Sequence, residues 1–294
     1  MFFACRYDMK KKNALYKTTV VVSMMLLGLI GVIGCSGCAT AGEHLFSKSN
    51  NLPIESFVRV STTTHATICK ETKSEDKSEK SCKNHRAGAS SSGAFVGHSE
   101  ANARSHYVLT AGHSCLGAFD GLPASVKKNT TITAHIITIQ MDNGRIFAAN
   151  IVAINREVDT CLLRVDNMTV FPLALKVAEE SPKRGERVYN LAAPLGIFSP
   201  GMVMLYEGFY TGVLRPRGWD IFSLPTKPGS SGSVVINHRN EIVGMIFAGF
   251  RSIETMAISP RLKDIRTFLH RAFPQGEMEL WLKSQDKKGK GQRK

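Results

Sequence analysis

Thr131-Ile132-Thr133-Ala134-His135-Ile136-Ile137-Thr138-Ile139-Gln140-Met141 is followed by Asp142-Asn143-Gly144, and then by Arg145-Ile146-Phe147-Ala148-Ala149-Asn150-Ile151-Val152-Ala153-Ile154. Both flanks are rich in β-branched and aromatic residues, which suit a pleated surface. The Asp-Asn-Gly between them supplies the left-handed backbone that a tight hairpin turn needs. A helix would instead repeat its apolar residues at intervals of three and four. Residues 131–154 therefore read as two antiparallel strands and their turn.

The same alternation of short apolar runs and turn residues extends outward over residues 53–272. A first set of strands is expected at 57–63, 93–98, 106–110, 131–141, 145–154 and 161–165. A polar break containing Pro172 and Pro182 follows. A second set is expected at 187–192, 204–213, 220–224, 233–237, 241–248 and 254–258, with a hairpin turn at 237–240. Leu262, Ile265, Phe268 and Leu269 then repeat at helical spacing, so 261–273 is expected to be one closing helix. The prediction is an all-β fold: two antiparallel six-stranded β-barrels, at about 53–170 and 183–260, with a C-terminal helix.

The 294 residues are 43% hydrophobic and 21% charged, which excludes a collagen-like, low-complexity or wholly disordered chain. The formal charge of +14 suggests a polyanion as partner, but it is concentrated at the ends. Residues 1–34 carry five basic residues against Asp8, and residues 283–294 carry six against Asp286. The basic polar tail, 274–294, has no aromatic residues interleaved with its lysines from Lys287 to Lys294, so it reads as a solvated end and not as a nucleic-acid site.

The N-terminus reads as an export signal over residues 1–34. Lys10, Lys11, Lys12 and Lys17 precede an apolar run at 20–34 that is shorter than the roughly 20 residues a bilayer span needs. Val32-Ile33-Gly34-Cys35 resembles a bacterial lipobox, whose cysteine becomes an acylated N-terminus. Ala39-Thr40-Ala41 offers the competing route, ordinary cleavage. Lipidation at Cys35 is the preferred expectation, with 35–52 as a flexible tether. It places the protein in the cell envelope, held to the membrane by lipid on the periplasmic or outer face. The alternative is a soluble periplasmic or secreted protein.

Seven cysteines fit that compartment. Cys35-x-x-Cys38 has no second such pair, so a redox or zinc reading is weak. Cys69 and Cys82 bracket a charged run, 70–81, expected to be a solvated loop that a disulfide would close at its base. Cys115 and Cys161 each lie two residues after a residue of the candidate site, and both a direct bridge and two buried free thiols remain open.

Three short blocks carry chemistry. Pro228-Gly229-Ser230-Ser231-Gly232-Ser233 sets Ser231 in a glycine-bounded turn before the apolar run Val234-Val235-Ile236. Glycines there allow successive backbone N–H groups to converge beside a hydroxyl, as an oxyanion hole requires. Val108-Leu109-Thr110-Ala111-Gly112-His113 ends a strand on a histidine. Asp159 opens the run Cys161-Leu162-Leu163-Arg164-Val165. Each has an ordinary structural explanation alone; the order His, Asp, Ser, each at a strand end, is far less ordinary.

Thr110-Ala111-Gly112-His113, Asp159-Thr160-Cys161-Leu162-Leu163-Arg164 and Gly229-Ser230-Ser231-Gly232-Ser233 resemble the three signature blocks of trypsin-like (chymotrypsin-fold) serine proteases. The likeness is greatest to the bacterial HtrA/Deg-type and glutamyl endopeptidase branches. It implies an endopeptidase acting on polypeptides, with His113, Asp159 and Ser231 catalytic and the N–H groups of Gly229 and Ser231 as oxyanion hole. No cofactor or metal is implied, and no PDZ domain is expected. A catalytically silent binding module of the same fold is the rival reading, although this chain keeps all three residues and both glycines. An α/β-hydrolase is excluded, because it needs the order Ser, Asp, His.

The resemblance also bears on specificity. Trypsin-like relatives that cleave after Arg or Lys carry an acid where this chain has Pro225. Glutamyl endopeptidases carry a threonine, matched by Thr226, and a histidine where this chain has Ile246. With no charged partner on either pattern, cleavage after small or medium apolar residues is expected.

Overall fold

The hairpin at the centre of the sequence is present, as β4 (Thr130–Met141) and β5 (Ile146–Asn155). Gly144, at φ +83°, makes the turn, and its N–H donates to the Met141 carbonyl at 2.9 Å. The computed structural model describes residues 52–74, 77–98, 104–250 and 252–273. Cys35, most of the tether and the basic tail lie outside the described residues.

Four further strands close this hairpin into a barrel: β1 (Phe57–Ser74), β2 (Lys77–His98), β3 (His106–Ala111) and β6 (Thr160–Val165). The circular order is β1-β2-β3-β6-β5-β4, antiparallel throughout. Val58, Val60, Phe95, Val108, Ile139, Leu163 and Met168 fill its interior with Cys115 and Cys161.

Of the run expected to be a solvated loop at 70–81, residues 70–74 and 77–81 are instead strand. β1 and β2 continue as a two-stranded ribbon in unbroken register from Phe57↔Ala94 to Ser74↔Lys77. β4 pairs with the other edge of β1 as far as Ile68↔Thr130. Beyond Ile68, β1 pairs only with β2 among the described residues. Cys69 stands opposite Cys82 in this register, and a disulfide joins them.

The second set of strands forms one sheet of seven: β7 (Arg187–Ala192), β8 (Met204–Leu214), β9 (Trp219–Phe222), β10 (Val234–Ile236), β11 (Ile242–Met245), β12 (Ala248–Phe250) and β13 (Ile253–Ser259). Their order, β11-β10-β7-β8-β9-β13-β12, makes a half-barrel. The sequence reads 241–248 as one strand; the chain breaks it into β11 and β12 at Ile246 and Phe247. There the Ile246 carbonyl accepts the Gly232 N–H at 2.7 Å, and the Phe247 N–H donates to Ile258 at 3.1 Å. The segment leaves one strand partner for another.

A single core joins the two lobes. In β3, Val108 faces the barrel interior, while Tyr107, Leu109 and Ala111 pack into a cluster with Val235, Phe222, Met245 and the closing helix α2 (Leu262–Ala272). Every residue of β3 is buried, because its two faces serve two cores. Leu262, Ile265, Phe268 and Leu269 are the buried stripe of α2, as their spacing predicts. The Phe273 ring stands edge-on to Tyr107, 4.9 Å between centroids. Strand β3 thus ends at the junction between lobes, and the next residues are Gly112 and His113.

Candidate active site

His113 sits in a single helical turn, α1 (Gly112–Cys115), directly after β3. Asp159 precedes β6 and adopts φ +50°, unusual for a residue with a side chain. That conformation makes the whole residue an acceptor for the histidine turn. Its carbonyl accepts the Gly112 N–H at 2.9 Å, Oδ1 accepts the His113 N–H at 2.7 Å, and Oδ2 accepts His113 Nδ1–H at 2.7 Å. A Cβ on Gly112 would lie 2.9 Å from Asp159 Oδ1, so the close approach depends on glycine. With Nδ1 donating, His113 Nε2 is the ring's acceptor.

Two restraints hold the far end of this turn. Cys115, fully buried, is joined by a disulfide to Cys161 of β6, with Cα atoms 6.6 Å apart. His135 Nε2 donates to the Cys115 carbonyl at 2.8 Å, which leaves Nδ1 to accept from the Thr64 hydroxyl at 2.9 Å. Strand periodicity would put Cys161 on the face of Asp159; it lies in the barrel interior instead, because Asp159 is in a left-handed turn and not in the strand.

Ser231 lies between β9 and β10. Gly229 and Gly232 bound the turn at φ +98° and +84°. The Ser230 N–H donates to Lys227 at 2.9 Å, while the Ser230 carbonyl accepts from the N–H and Oγ of Ser233 at 3.0 and 2.7 Å. Gly232 is wedged against the barrel: a Cβ there would come within 2.2 Å of Thr110 Oγ1 and 2.9 Å of the Ala111 nitrogen. The residue after Ser231 therefore touches the two residues that lead into Gly112-His113. Ser231 Oγ is 3.5 Å from the Phe247 carbonyl, and no hydrogen bond among the described residues joins it to His113. Such contacts are commonly long before substrate is bound. Neither the Gly229 nor the Ser231 N–H donates to a backbone carbonyl among the described residues.

Two clefts hold these residues. One, of about 490 Å³, is lined by Ser231, Thr226, Lys227, Ile246, Gly249 and Glu254, among others. Of the three residues named for specificity, Thr226 and Ile246 line it and Pro225 does not. Its charged residues escaped the sequence reading. Lys227 Nζ pairs with the Glu254 carboxylate, and the Thr226 N–H donates to the Glu254 carbonyl at 2.9 Å. Nothing in the sequence links these positions, 27 residues apart. The other cleft, of about 440 Å³, contains His113 and Asp159 with Leu116, Trp219 and Phe247. Trp219 meets Phe247 edge-on, centroids 5.4 Å apart, and carries the Arg217 guanidinium 4.8 Å above its ring. Among the described residues no group of three or more His, Cys, Asp or Glu is arranged to hold a metal ion.

A closed barrel beside a half-barrel sheet, with one C-terminal helix, is the chymotrypsin-like fold of serine peptidases. The sequence matches the model of the family described as "Trypsin-like peptidase domain" over residues 91–245, more than half of the chain, and the chain belongs to that family. Among solved structures, the serine endoprotease from Yersinia pestis is similar at a TM-score of 0.52 and 16% identity, over 79% of this chain and 69% of that one. An inactive form of a serine-to-alanine mutant from Mycobacterium tuberculosis H37Rv is similar at a TM-score of 0.48 and 14% identity, over 75% and 87%. No curated protein sequence gives a significant match.

Proposed function

We propose that the protein is an exported serine endopeptidase that hydrolyses peptide bonds through an acyl-enzyme, cleaving after small or medium apolar residues. Ser231 Oγ attacks the scissile carbonyl as His113 Nε2 takes its proton. The Gly229 and Ser231 N–H groups stabilise the oxyanion. The C–N bond then breaks, the imidazolium returns the proton to the leaving amine, and the acyl group remains as an ester on Ser231. Water, deprotonated by His113, hydrolyses the ester and restores the serine. Asp159 fixes the tautomer throughout.

The observation that carries this reading is the triple hold of Asp159 on Gly112 and His113, set where Gly232 abuts Thr110 and Ala111. Apolar specificity is supported by Ile246 in the serine cleft and by a lysine and a glutamate there that neutralise each other. Peptide-library cleavage by the protein, beside a Ser231→Ala control, tests both parts. Cleavage lost in the control and concentrated after Val, Ala, Leu or Ile is expected. Equal cleavage by the control would refute the mechanism, and dominance of Glu or Arg at the cleaved position would refute the specificity.

Export and lipidation at Cys35 rest on the lipobox-like Val32-Ile33-Gly34-Cys35. An acyl-glyceryl group plus an amide-linked acyl chain, burying CH₂ groups at about 0.8 kcal/mol each, would anchor the mature chain. Mass spectrometry should find an acylated Cys35 N-terminus; an unmodified N-terminus at Gly42 would mean the soluble route.

A further inference from the structure

We propose that Ser92 of β2 is a positioning residue for the turn that carries Ser231, holding it in its oxyanion-binding shape from the opposite lobe. This rests on the serine-peptidase reading above. Ser92 is fully buried and uses every polar atom it has. Its N–H donates to the Ser231 carbonyl at 2.8 Å. Its Oγ donates to the Gly229 carbonyl and accepts the Ala193 N–H, both at 2.9 Å. Its carbonyl accepts from Thr110 Oγ1 at 2.7 Å. Three of these four bonds cross from the barrel to loops of the second lobe.

The significance lies in which peptide groups are held. The Pro228 carbonyl accepts from Leu195 N–H at 2.5 Å, and the Ser230 carbonyl is taken by Ser233. With Ser92 on Gly229 and Ser231, all four consecutive carbonyls from Pro228 to Ser231 are committed. In a planar trans peptide the next N–H points away from the carbonyl, so a held carbonyl aims the N–H that follows. The N–H groups after the two carbonyls on Ser92 are those of Ser230 and Gly232, and they go to Lys227 and Ile246. The intervening N–H groups, of Gly229 and Ser231, are the ones with no backbone acceptor among the described residues. Ser92 locks the Gly229–Ser230 and Ser231–Gly232 peptide planes, and the planes beside them, Pro228–Gly229 and Ser230–Ser231, keep their N–H groups available to an oxyanion.

Loss of the Ser92 hydroxyl leaves the buried Gly229 carbonyl and Ala193 N–H without their partner, a costly state. Gly229, with no side chain to restrict φ and ψ, can relieve it by rotating the peptide plane of its carbonyl and the Ser230 N–H, which changes the angle between that plane and its neighbours carrying the Gly229 and Ser231 N–H groups. The defect should therefore appear in transition-state stabilisation before it appears in folding.

The test compares Ser92→Ala, Ser92→Thr and Ser92→Val with the unaltered protein and a Ser231→Ala control. It measures kcat, KM, inhibition by a peptide boronate that forms a tetrahedral adduct on serine, and thermal unfolding. Removing one oxyanion donor outright costs about 10²–10³ in kcat. Ser92→Ala should therefore lose about 10- to 100-fold in kcat and in boronate affinity, with KM little changed. Thr, which keeps the hydroxyl, should retain more kcat than Val, which has the same shape. A Ser92→Ala protein with full kcat per folded molecule, or equal kcat in Thr and Val, overturns the proposal and leaves the peptidase reading intact. An unaltered protein that cleaves no peptide overturns both.

Discussion

Asp159 holds His113 at two points, accepting its backbone N–H on Oδ1 and its ring Nδ1–H on Oδ2, each at 2.7 Å. One carboxylate thus fixes both the position of the turn and the tautomer of the ring. Both bonds need an acceptor. Asp159→Asn offers an acceptor to one donor and an NH₂ group to the other, so either the turn shifts or the ring takes the wrong tautomer. A loss of about 10⁴ in kcat is expected, with near-normal folding by circular dichroism. A loss below tenfold would show that Asp159 has no catalytic part.

The Lys227–Glu254 pair in the serine cleft offers a test of specificity by charge. Both side chains are substantially exposed, 44% and 65%, so the pair contributes little stability and either partner can be removed without unfolding. Lys227→Met leaves Glu254 alone in the cleft and should raise cleavage after Lys or Arg. Glu254→Gln leaves Lys227 and should raise cleavage after Glu or Asp. Gains of about 2- to 5-fold are expected for half-solvated charges. Peptide-library profiles of the two variants would show the opposite shifts; identical profiles would remove the pair from the specificity site.

The two disulfides should differ in accessibility. Cys115 and Cys161 are fully buried, whereas Cys82 is exposed on the ribbon. Mild reductant under native conditions should open Cys69–Cys82 first, with activity retained, as alkylation and mass spectrometry would report. Cys115–Cys161 closes a longer loop, 46 residues against 13, worth about 4 kcal/mol against about 3 in the chain-entropy picture. Replacing Cys115 and Cys161 with alanine should therefore lower the urea midpoint more than replacing the other pair.

Asp220 offers a pH test of the helix junction. It is buried, with Oδ1 accepting from the Tyr210 hydroxyl at 2.9 Å and Oδ2 from the Leu262 N–H at 3.3 Å. Burial raises its carboxyl above the ordinary 3.8, outweighing these bonds and the nearby Arg261, while burial and then Asp220 push the Tyr210 phenol up to about 12. A carboxyl raised in the folded state contributes its full stability below about pH 4 and loses it as pH climbs through the folded value. The stability of the protein relative to Asp220→Asn, which does not titrate there, should thus be greater near pH 4 than near pH 8 in urea unfolding. A difference that grows with pH would contradict the assignment.

Local chemistry alone determined much of this protein. The β-branched flanks around Asp142-Asn143-Gly144 specify a hairpin, and Leu262, Ile265, Phe268 and Leu269 specify a helix with one buried stripe, because backbone preference and apolar period are properties of neighbouring residues. The serine turn announces its shape through its glycines for the same reason. Tertiary pairing of strands and lobes decided the rest. It extended β1 and β2 through polar residues, since each strand satisfies the other's backbone in a register that hydropathy cannot record. It brought Cys115 to Cys161 and so chose the bridge over the free thiols. It also set Lys227 against Glu254, and Ser92 against Gly229 across 137 residues of sequence. Such pairings carry no periodic signal: their partners are far apart in sequence and become neighbours only when strands have paired or, for Ser92 and Gly229, when the two lobes have packed on the two faces of β3.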